Sequence, residues 1–442
     1  MKRFVIALAA TSLLSGCGIL GIGGNNRGPR TPTVGTRIPV LSAEAGVAVD
    51  ATLASVPVVP PAPVANTDWT QSGGNAAKSL GHVALGSALT RAWNVSIGSG
   101  STNQGRLNAA PVIGGGRLYT IDTQAVVRAF NPETGAQLWQ TQVRGENVSD
   151  DTLFGGGVSF ANDRVFVTNG AGYAASLDAA TGAQVWAVRP GGPLRGSPTV
   201  AAGNVYVVSQ DNQLFALNEA DGANLWSRSG SVEASGVFGT AAPAFGQSTV
   251  VAGYSSGELS AYRYENGREV WADALTRTTV TTSVHALTDI DADPVIDQGR
   301  VYAIGQGGRM VALELNTGQR LWELNIAGIA TPWVAGEWVF VVTDQAQLLA
   351  IARTSGRVRW ISQLRRYRDQ EDRKGPITWR GPVLAGGRLV LVNSLGEIAH
   401  VSPADGTVQS TVPTGTPISL PPIVANNTMY ILDDAGRLTA WR

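Results

Sequence analysis

Residues 134–139 read Thr-Gly-Ala-Gln-Leu-Trp, and five close copies of this hexapeptide follow along the chain. All six keep a Gly four residues before a Trp and end at Trp139, Trp186, Trp226, Trp271, Trp322 and Trp360, while a degenerate copy ends at Ser410. A repeat of about 40–50 residues with strand-like content is typical of small sheets arranged radially or in a stack.

A proline marks the start of most copies. Six copies span 28 residues from this Pro to the final Trp or Ser, beginning at Pro111, Pro198, Pro243, Pro294, Pro332 and Pro382. The copy that ends at Trp186 starts at Gly157 and spans 29 residues. Because unrelated Trp residues would not keep so fixed a distance, we interpret each copy as one folded unit.

Residues 197–228 show what one unit contains. Apolar stretches alternate with turn sequences such as Ala-Gly-Asn at 202–204 and Asp-Gly at 221–222, which predicts four short strands. The Gly before each Trp can adopt a positive φ and close the last hairpin, and the Pro suits an edge strand. The Trp is large enough to pack between neighbouring sheets.

The number of units predicts the fold. The chain after Ser410 holds only three strands, and the missing fourth strand lies upstream, where residues 89–95 carry Trp93. Pairing of the two terminal strands would leave no unprotected sheet edge. We therefore expect an all-β fold, an eight-bladed β-propeller of four-stranded antiparallel blades closed by its N- and C-terminal strands.

The composition excludes several classes of protein. The chain has 442 residues, of which 43% are hydrophobic, so it can bury a large core. Its 33 basic and 33 acidic side chains balance, which argues against an electrostatic nucleic-acid binder.

The N-terminus reads as an export and anchoring signal. Residues 1–16 combine Lys2-Arg3 with an apolar run and precede Cys17, the single Cys of the chain. The Leu-Ser-Gly-Cys end resembles the bacterial lipobox, which implies cleavage before Cys17, lipidation of Cys17 and, because residue 18 is not Asp, sorting to the outer membrane. A plain signal peptide is the alternative. Residues 17–65 are rich in Gly and Pro and predict a flexible tether, which places the propeller at 66–442.

Residues that could carry chemistry are scarce. The three His residues fall at unrelated positions of the repeat, and the common catalytic motifs are absent from the sequence. Asp289, Asp291 and Asp293 begin like a calcium loop, but Pro294 and Arg300 stand where such a loop needs Gly and Glu. We therefore predict no catalytic residue and no metal site, and expect the three Asp residues to contact a protein or to cap a loop.

Two further features concern the loops. The segments from each Trp to the next Pro vary from 10 residues (Trp322 to Pro332) to 23 (Trp271 to Pro294), and they should all emerge on one face. Variable loops on a rigid scaffold usually carry binding. The charged run 365–374 predicts a solvated loop, with a docking loop as the alternative.

The Thr-Gly-x-x-x-Trp units resemble the quinoprotein-type propeller repeat over residues 89–442. With the lipobox, the Asp-Trp-Thr-Gln-Ser-Gly-Gly-Asn run at 68–75 and the segment 287–296, the chain resembles the BamB family, a lipoprotein component of the outer-membrane β-barrel assembly machinery. This resemblance implies a non-enzymatic scaffold without a cofactor. Its partner would be BamA, the barrel subunit, with unfolded barrel chains as further clients.

The resemblance also implies a partner site. In that family, an acidic pair and a Leu-Arg pair contact BamA. The acidic pair maps onto Asp289 and Asp291, and the Leu-Arg pair falls on Val237 and Phe238 by counting back from Pro243, so the Arg would be absent. Leu-Arg does occur at 194–195, but in a different loop. We expect Phe238 to be an exposed anchor beside a carboxylate rim, with a purely structural role for these residues as the alternative.

A quinone-dependent dehydrogenase is the alternative function, because such enzymes share the repeat. By the same resemblance, it would need a calcium site of acidic and amide side chains, a catalytic carboxylate and often adjacent cysteines. The sequence has one Cys and no obvious calcium set, so we favour the scaffold.

Overall fold

Four antiparallel strands lie side by side in each of eight sheets, which confirms the predicted eight-bladed β-propeller. The computed structural model describes residues 47–145, 148–231, 241–275 and 288–442. The predicted sites Cys17, Val237 and Phe238 lie outside these residues.

The first strand in the chain, β1 (Arg91–Ser96), belongs to the last blade. Blades 1 to 4 then follow in chain order. Blade 1 comprises β2 (Val112–Gly114), β3 (Arg117–Ile121), β4 (Val126–Phe130) and β5 (Gln137–Gln142). Blade 2 comprises β6 (Val158–Ala161), β7 (Arg164–Thr168), β8 (Ala174–Asp178) and β9 (Gln184–Val188). Blade 3 comprises β10 (Thr199–Ala201), β11 (Asn204–Val208), β12 (Gln213–Asn218) and β13 (Asn224–Ser229). Blade 4 comprises β14 (Ala244–Gly246), β15 (Thr249–Gly253), β16 (Glu258–Arg263) and β17 (Glu269–Ala274).

Blades 5 to 8 complete the ring. Blade 5 comprises β18 (Val295–Asp297), β19 (Arg300–Ile304), β20 (Met310–Glu314) and β21 (Arg320–Leu324). Blade 6 comprises β22 (Trp333–Ala335), β23 (Trp338–Val342), β24 (Gln347–Ala352) and β25 (Val358–Gln363). Blade 7 comprises β28 (Trp379–Ala385), β29 (Arg388–Asn393), β30 (Glu397–Val401) and β31 (Val408–Pro413). Blade 8 comprises β32 (Ile423–Ala425), β33 (Thr428–Leu432), β34 (Arg437–Trp441) and β1.

A few elements stand apart from the blades. The charged run 365–374 folds mostly as an exposed hairpin of β26 (Tyr367–Asp369) and β27 (Lys374–Pro376) between blades 6 and 7. Two short 3-10 helices, Ala51–Leu53 and Asp150–Thr152, lie in the described residues. Among those residues, no helix is long and apolar enough to cross a membrane.

The two ends of the chain close the ring in blade 8. Strand β1 pairs antiparallel with β34, with Trp93 opposite Ala440, and Thr90 exchanges two backbone hydrogen bonds with Arg442. The prediction that the N-terminal strand completes the last blade is therefore confirmed.

The apolar core lies between neighbouring blades. The second strand of a blade is buried along its whole length, as in β11, whereas the fourth strand faces solvent at most positions, as in β13. One cluster, for example, joins Tyr119 and Val127 of blade 1 to Val158 and Val165 of blade 2. Packing between sheets therefore supplies most of the stabilising hydrophobic burial.

The repeated Trp and Gly form a latch between blades. The Trp186 indole of blade 2 lies against Gly222 of blade 3, whose φ is +76° and where a Cβ would come within 2.7 Å of the ring. Only Gly combines this backbone conformation with so close an approach. The Trp186 indole N–H also donates to the Glu219 carbonyl oxygen at 3.0 Å.

Seven of the eight blade interfaces carry this latch. The Trp–Gly pairs are Trp93–Gly135, Trp139–Gly182, Trp186–Gly222, Trp226–Gly267, Trp271–Gly318, Trp322–Gly356 and Trp360–Gly406. In each pair the indole N–H donates to the carbonyl of the residue three positions before the Gly, at 2.7–3.2 Å. Each hexapeptide therefore takes part in two latches: its Gly contacts the Trp of the preceding blade, and its Trp contacts the Gly of the following blade.

Residues 47–65, which we call the N-terminal strap, lie against the propeller. The Asp50 N–H donates to the Val358 carbonyl at 2.8 Å, and Arg359 Nε donates to the Val56 carbonyl at 2.7 Å, which fastens the strap to the outer strand of blade 6. Val58 is buried in the core. The expectation of a free tether up to residue 65 is corrected for the strap, because apolar side chains within a Pro-rich stretch can still pack on a neighbouring surface.

Candidate functional site: the two ends of the central channel

The propeller has two faces with different loops. The turns between strands 1 and 2 and between strands 3 and 4 of each blade lie on one face, which we call the turn face. The turns between strands 2 and 3 and the connections from blade to blade lie on the opposite face, which we call the connector face. The variable segments found in the sequence therefore all begin and end on the connector face.

The chain itself occupies the channel at its turn-face end. Residues 66–86, which we call the channel segment, hydrogen-bond to the inner strand of all eight blades in order, from blade 8 round to blade 7. The bonded pairs are Asn66–Val424, Trp69–Ile113, Thr70–Phe160, Gln71–Val200, Ala76–Phe245, Ala77–Ile296, Gly81–Trp333 and Val83–Leu384. One segment thus bridges the whole ring.

Local sequence explains how the channel segment turns so tightly. Gly73 and Gly74 have φ of +70° and +99°, and a Cβ on Gly74 would come within 2.1 Å of the Leu80 side chain. The Trp69 ring, 3% exposed, stacks on the Trp333 ring with a centroid distance of 5.9 Å. The Asp-Trp-Thr-Gln-Ser-Gly-Gly-Asn run at 68–75 therefore encodes a channel closure.

A buried lysine lies inside this closure. Lys78 is 1% exposed, and its Nζ donates to Thr199 Oγ1 at 3.1 Å. Burial lowers the pKa of Lys78 to about 8, and the nearby carboxylate of Asp293 opposes part of that change. The amine is therefore held by the inner wall of the channel and away from solvent.

An ion-pair network lies at the connector-face end. Arg195, which precedes blade 3, places Nη2 3.5 Å from Asp289 Oδ1 and 3.7 Å from Asp291 Oδ1, and both Asp residues precede blade 5. Arg195 Nη1 also donates to Asn212 Oδ1 at 3.2 Å. The Arg195 and Asp289 side chains are only 2% and 1% exposed. Their charges can be kept in such a buried place because each side chain is paired with an opposite charge.

Asp291 extends the network across the channel mouth. Its Oδ2 accepts a hydrogen bond from Gln306, while burial raises its pKa and the charges of Arg195 and Arg380 oppose that rise. Arg380, at the start of blade 7, donates to the Ser419 and Ile329 carbonyls at 2.9 and 3.0 Å. Side chains from the connections before blades 3 and 5 and from the first strand of blade 7 therefore lie close together at this end of the channel.

Asp293 fastens the channel segment to the blades. Its Oδ2 accepts from Ser72 Oγ, and its Oδ1 accepts from the Ala242 N–H at 2.7 Å. The three Asp residues thus face different partners, and the described residues contain no group of His, Cys, Asp and Glu that could hold a metal ion.

The structure changes the interpretation of the acidic pair. Asp289 and Asp291 were expected on an exposed rim beside Phe238, but their side chains are only 1% and 11% exposed and bond within the protein. The sequence does contain an Arg that could pair with these Asp residues, because Leu-Arg occurs at 194–195. Counting along the chain rejected that pair, but a radial fold brings connections two blades apart to the same channel mouth, so Arg195 meets the two Asp residues.

Comparison with known proteins identifies the family of this chain. A family model described as "Outer membrane protein assembly factor BamB" matches residues 123–362, more than half of the chain. The chain belongs to the BamB family. The BamB of Yersinia pestis is 27% identical over 358 residues, covering 80% of this chain and 88% of that protein. The BamB of Escherichia coli K12 is also 27% identical, covering 72% and 79%.

Solved structures show the same fold more widely. BamB from Moraxella catarrhalis superposes with a TM-score of 0.68 at 18% identity, covering 80% of this chain and all of that chain. A quinohemoprotein alcohol dehydrogenase from Comamonas testosteroni gives a TM-score of 0.66 at 15% identity, covering 85% and 80%. At these identities, both likenesses are of fold alone.

Proposed function

We propose that this protein is a non-enzymatic scaffold of the outer-membrane protein assembly complex, which binds BamA and aids the folding and insertion of β-barrel proteins. Membership of the BamB family supports the proposal. The observation that carries it is the filled channel: residues 66–86 bridge all eight inner strands at one end, and the Arg195 network crosses the other. The surface that remains for function is the outside of a rigid ring.

The connector face is the proposed binding surface for BamA. Its loops vary in length, whereas the turn face carries the nearly constant latches. Arg195 ties the connection before blade 3 to Asp289 and Asp291 before blade 5, and so holds two connections in fixed register. In this proposal Asp289 and Asp291 position the binding loops, and Val237 and Phe238, in the connection between them, supply the apolar anchor.

The anchor completes the proposed arrangement. Lipid on Cys17 would hold the protein on the periplasmic face of the outer membrane, because several acyl chains together anchor a protein stably. The segment between Cys17 and the N-terminal strap would then act as the tether, and unfolded barrel chains would be additional clients of the complex.

The residues present do not fit a quinone cofactor. In this chain the channel is filled at the turn-face end by its own backbone, with Lys78 and Trp69 buried there. At the other end, the carboxylates that could hold a calcium ion are engaged by Arg195, Gln306 and Ser72. The dehydrogenase alternative therefore finds no support beyond the shared fold.

Co-purification from a detergent extract of envelopes tests the proposal. Tagged protein should retain BamA, and Phe238→Ala on the connector face should weaken retention about tenfold or more, as expected of a buried aromatic anchor. Leu225→Ala, which changes a half-exposed side chain on the outer strand of blade 3, is the matched control and should retain BamA fully. Failure of the unchanged protein to retain BamA, or equal losses in both variants, would refute the assignment of the connector face.

A further inference from the structure

The hairpin of β26 and β27 is a charged element that takes no part in the blades. Residues 365–374 carry five basic and three acidic side chains, and so a net charge of +2, on a chain whose formal net charge is zero. Every residue from 368 to 376 is exposed. The hairpin belongs to the connection between blades 6 and 7, so its side chains are open to a partner outside the ring.

Contacts at its base hold the hairpin in place. The Trp379 indole N–H donates to the Arg365 carbonyl at 2.9 Å, and the Ile377 N–H donates to the Arg366 carbonyl at 2.9 Å. Trp379 and Ile377 are 7% and 5% exposed and belong to the apolar core. A rigid element therefore presents the charges of the hairpin, which lowers the entropy that binding costs.

The acidic side chains are mostly engaged within the hairpin, whereas the arginines are not paired. Asp369 Oδ1 accepts from the N–H groups of residues 371 and 372 at 3.1 and 3.0 Å, and Asp372 pairs with Lys374 at 2.7 Å, which leaves Glu371 at the tip. Among the described residues, no carboxylate lies within 4.0 Å of the other basic side chains of the run, which are Arg365, Arg366, Arg368 and Arg373. Asp344 of blade 6 is influenced by Arg366 from beyond that distance.

The hairpin itself supports the stems of these arginines. Arg368 lies along Gly375, where an added Cβ would come within 3.2 Å of Arg368 Cδ. Arg366 Cζ lies 5.1 Å from the centroid of the Tyr367 ring. Arginine presents its N–H donors in a planar fork that matches the oxygens of a phosphate group. The cluster is therefore suited to several phosphate groups arranged on a surface.

The same blade receives the N-terminal strap. Strand β25 holds the strap by the hydrogen bonds described above, and its chain leads directly into the hairpin. Residues 18–46 connect the strap to Cys17, the expected lipid anchor, and their charged residues are Arg27, Arg30, Arg37 and Glu44. The blade that carries the hairpin is therefore the blade to which a basic segment ties the anchor.

We propose that the arginines of this hairpin bind the phosphate groups of anionic phospholipids, at the surface of the membrane that holds the lipid on Cys17. This rests on the lipid anchor of the proposed function. Each Arg near an anionic surface strengthens the attraction about fivefold, and the anchor keeps the hairpin close to that surface, so a few such contacts suffice. An acidic partner protein would offer the same charge, but the chain ties blade 6 to the membrane alone.

Spin labelling of full-length, lipidated protein in nanodiscs tests the inference. A nitroxide at Gln370→Cys, at the tip of the hairpin, reports collisions with a nickel-chelating headgroup lipid, and Asn224→Cys, exposed on the outer strand of blade 3, is the matched control. With one-third phosphatidylglycerol in phosphatidylcholine, we expect a collision rate at 370 about threefold or more above that at 224. The difference should vanish in pure phosphatidylcholine and shrink at high salt.

The number of labels tests the anchor separately. Cys17 is the single native Cys, so a lipidated chain has one free thiol in each variant. Two labels per chain would mean that Cys17 carries no lipid, which would overturn the proposal through its anchor and not through its hairpin.

Removal of charge isolates the arginines. Arg366→Gln, Arg368→Gln and Arg373→Gln together should lower the collision rate at 370 to that at 224 in anionic nanodiscs. The control removes the same charge from exposed arginines of other blades and should leave the rate unchanged; its substitutions are Arg144→Gln, Arg189→Gln and Arg268→Gln.

Two results would overturn the proposal at the hairpin. The first is an equal collision rate at 370 and 224 in anionic nanodiscs. The second is an unchanged rate in the hairpin variant, and if that variant also lost BamA on co-purification, the arginines would be assigned to the partner protein instead.

Discussion

Seven blade interfaces are latched by a Trp against a Gly, and the interface between blades 7 and 8 lacks this latch. At a latched interface, an indole packs on a turn and donates to a carbonyl, so neighbouring blades share burial and a hydrogen bond. Between blades 7 and 8, Ser410 stands in place of the Trp, and the two chain ends stand in place of the turn, because β1 completes blade 8 by pairing with β34. The latches therefore join neighbouring blades, whereas the β1–β34 pairing completes a single blade, and the costs of losing each can be measured.

Removal of strand β1 should have the largest effect. Deletion of residues 88–97 takes away the outer strand of blade 8 and the Trp93 latch to blade 1, which exposes a sheet edge. We expect loss of a cooperative thermal transition and aggregation, measured by circular dichroism and light scattering. The control is deletion of residues 20–45, which precede the N-terminal strap and should leave the melting temperature unchanged. Equal destabilisation by both deletions would contradict closure by β1.

Loss of one latch should come next. Trp226→Ala removes an almost buried indole and its 2.8 Å hydrogen bond to the Tyr264 carbonyl, so it should lower the free energy of unfolding by about 3–5 kcal/mol. Ser410→Ala, at the matching position of the unlatched interface, should change it by less than about 0.5 kcal/mol. Chemical denaturation of both variants provides the measurement. Similar losses would mean that the latch is not the main contact between blades.

A smaller effect should follow from a single methyl group in the latch turn. Gly222→Ala places a Cβ within 2.7 Å of the Trp186 ring at a positive φ, so we expect a loss of about 1–3 kcal/mol. Gly203→Ala is the matched control, because Gly203 has the same φ of +76° but open space around the added Cβ. The difference between the two variants measures the contact with Trp186 apart from backbone strain. If the two variants have the same melting temperature, the close approach of residue 222 to Trp186 contributes nothing to stability.

The fold was predictable because the latch residues repeat at a fixed spacing within each copy, and each copy corresponds to one blade. The path of residues 66–86 was not predictable, because it depends on contacts with eight inner strands that come together only in the closed ring. The Arg195 pairing was missed for the same reason: sequence separation says little about distance when connections converge on one axis. The exchange in blade 7, where His400 and Ser410 stand in place of a small residue and the latch Trp, is in contrast readable from the sequence, since the residue ten positions before every latch Trp except Trp93 is Ala or Ser.

That exchange should give the eighth interface an acid sensitivity that the latched interfaces lack. Burial, together with the smaller effect of the nearby Arg388 charge, lowers the pKa of His400 to about 4. The unfolded chain, with a His pKa near its ordinary 6.5, therefore binds more protons than the folded protein between pH 6.5 and 4. Stability from this group is present above pH 6.5 and is lost progressively as the pH falls towards 4.

Replacement of His400 by the Ala found in most other blades should remove this sensitivity. Between pH 7 and pH 5, the unchanged protein should lose about 1–2 kcal/mol of unfolding free energy relative to His400→Ala, although the variant is less stable at pH 7 because it removes the packing of the buried imidazole. Ala350→Gly, at the matching position of a latched interface, serves as the control and should lower stability equally at both pH values. Denaturant titrations at pH 5, 6 and 7 measure the differences. Parallel pH profiles for the unchanged protein and His400→Ala would show that the imidazole is hydrated in the folded protein and gives the interface between blades 7 and 8 no acid sensitivity.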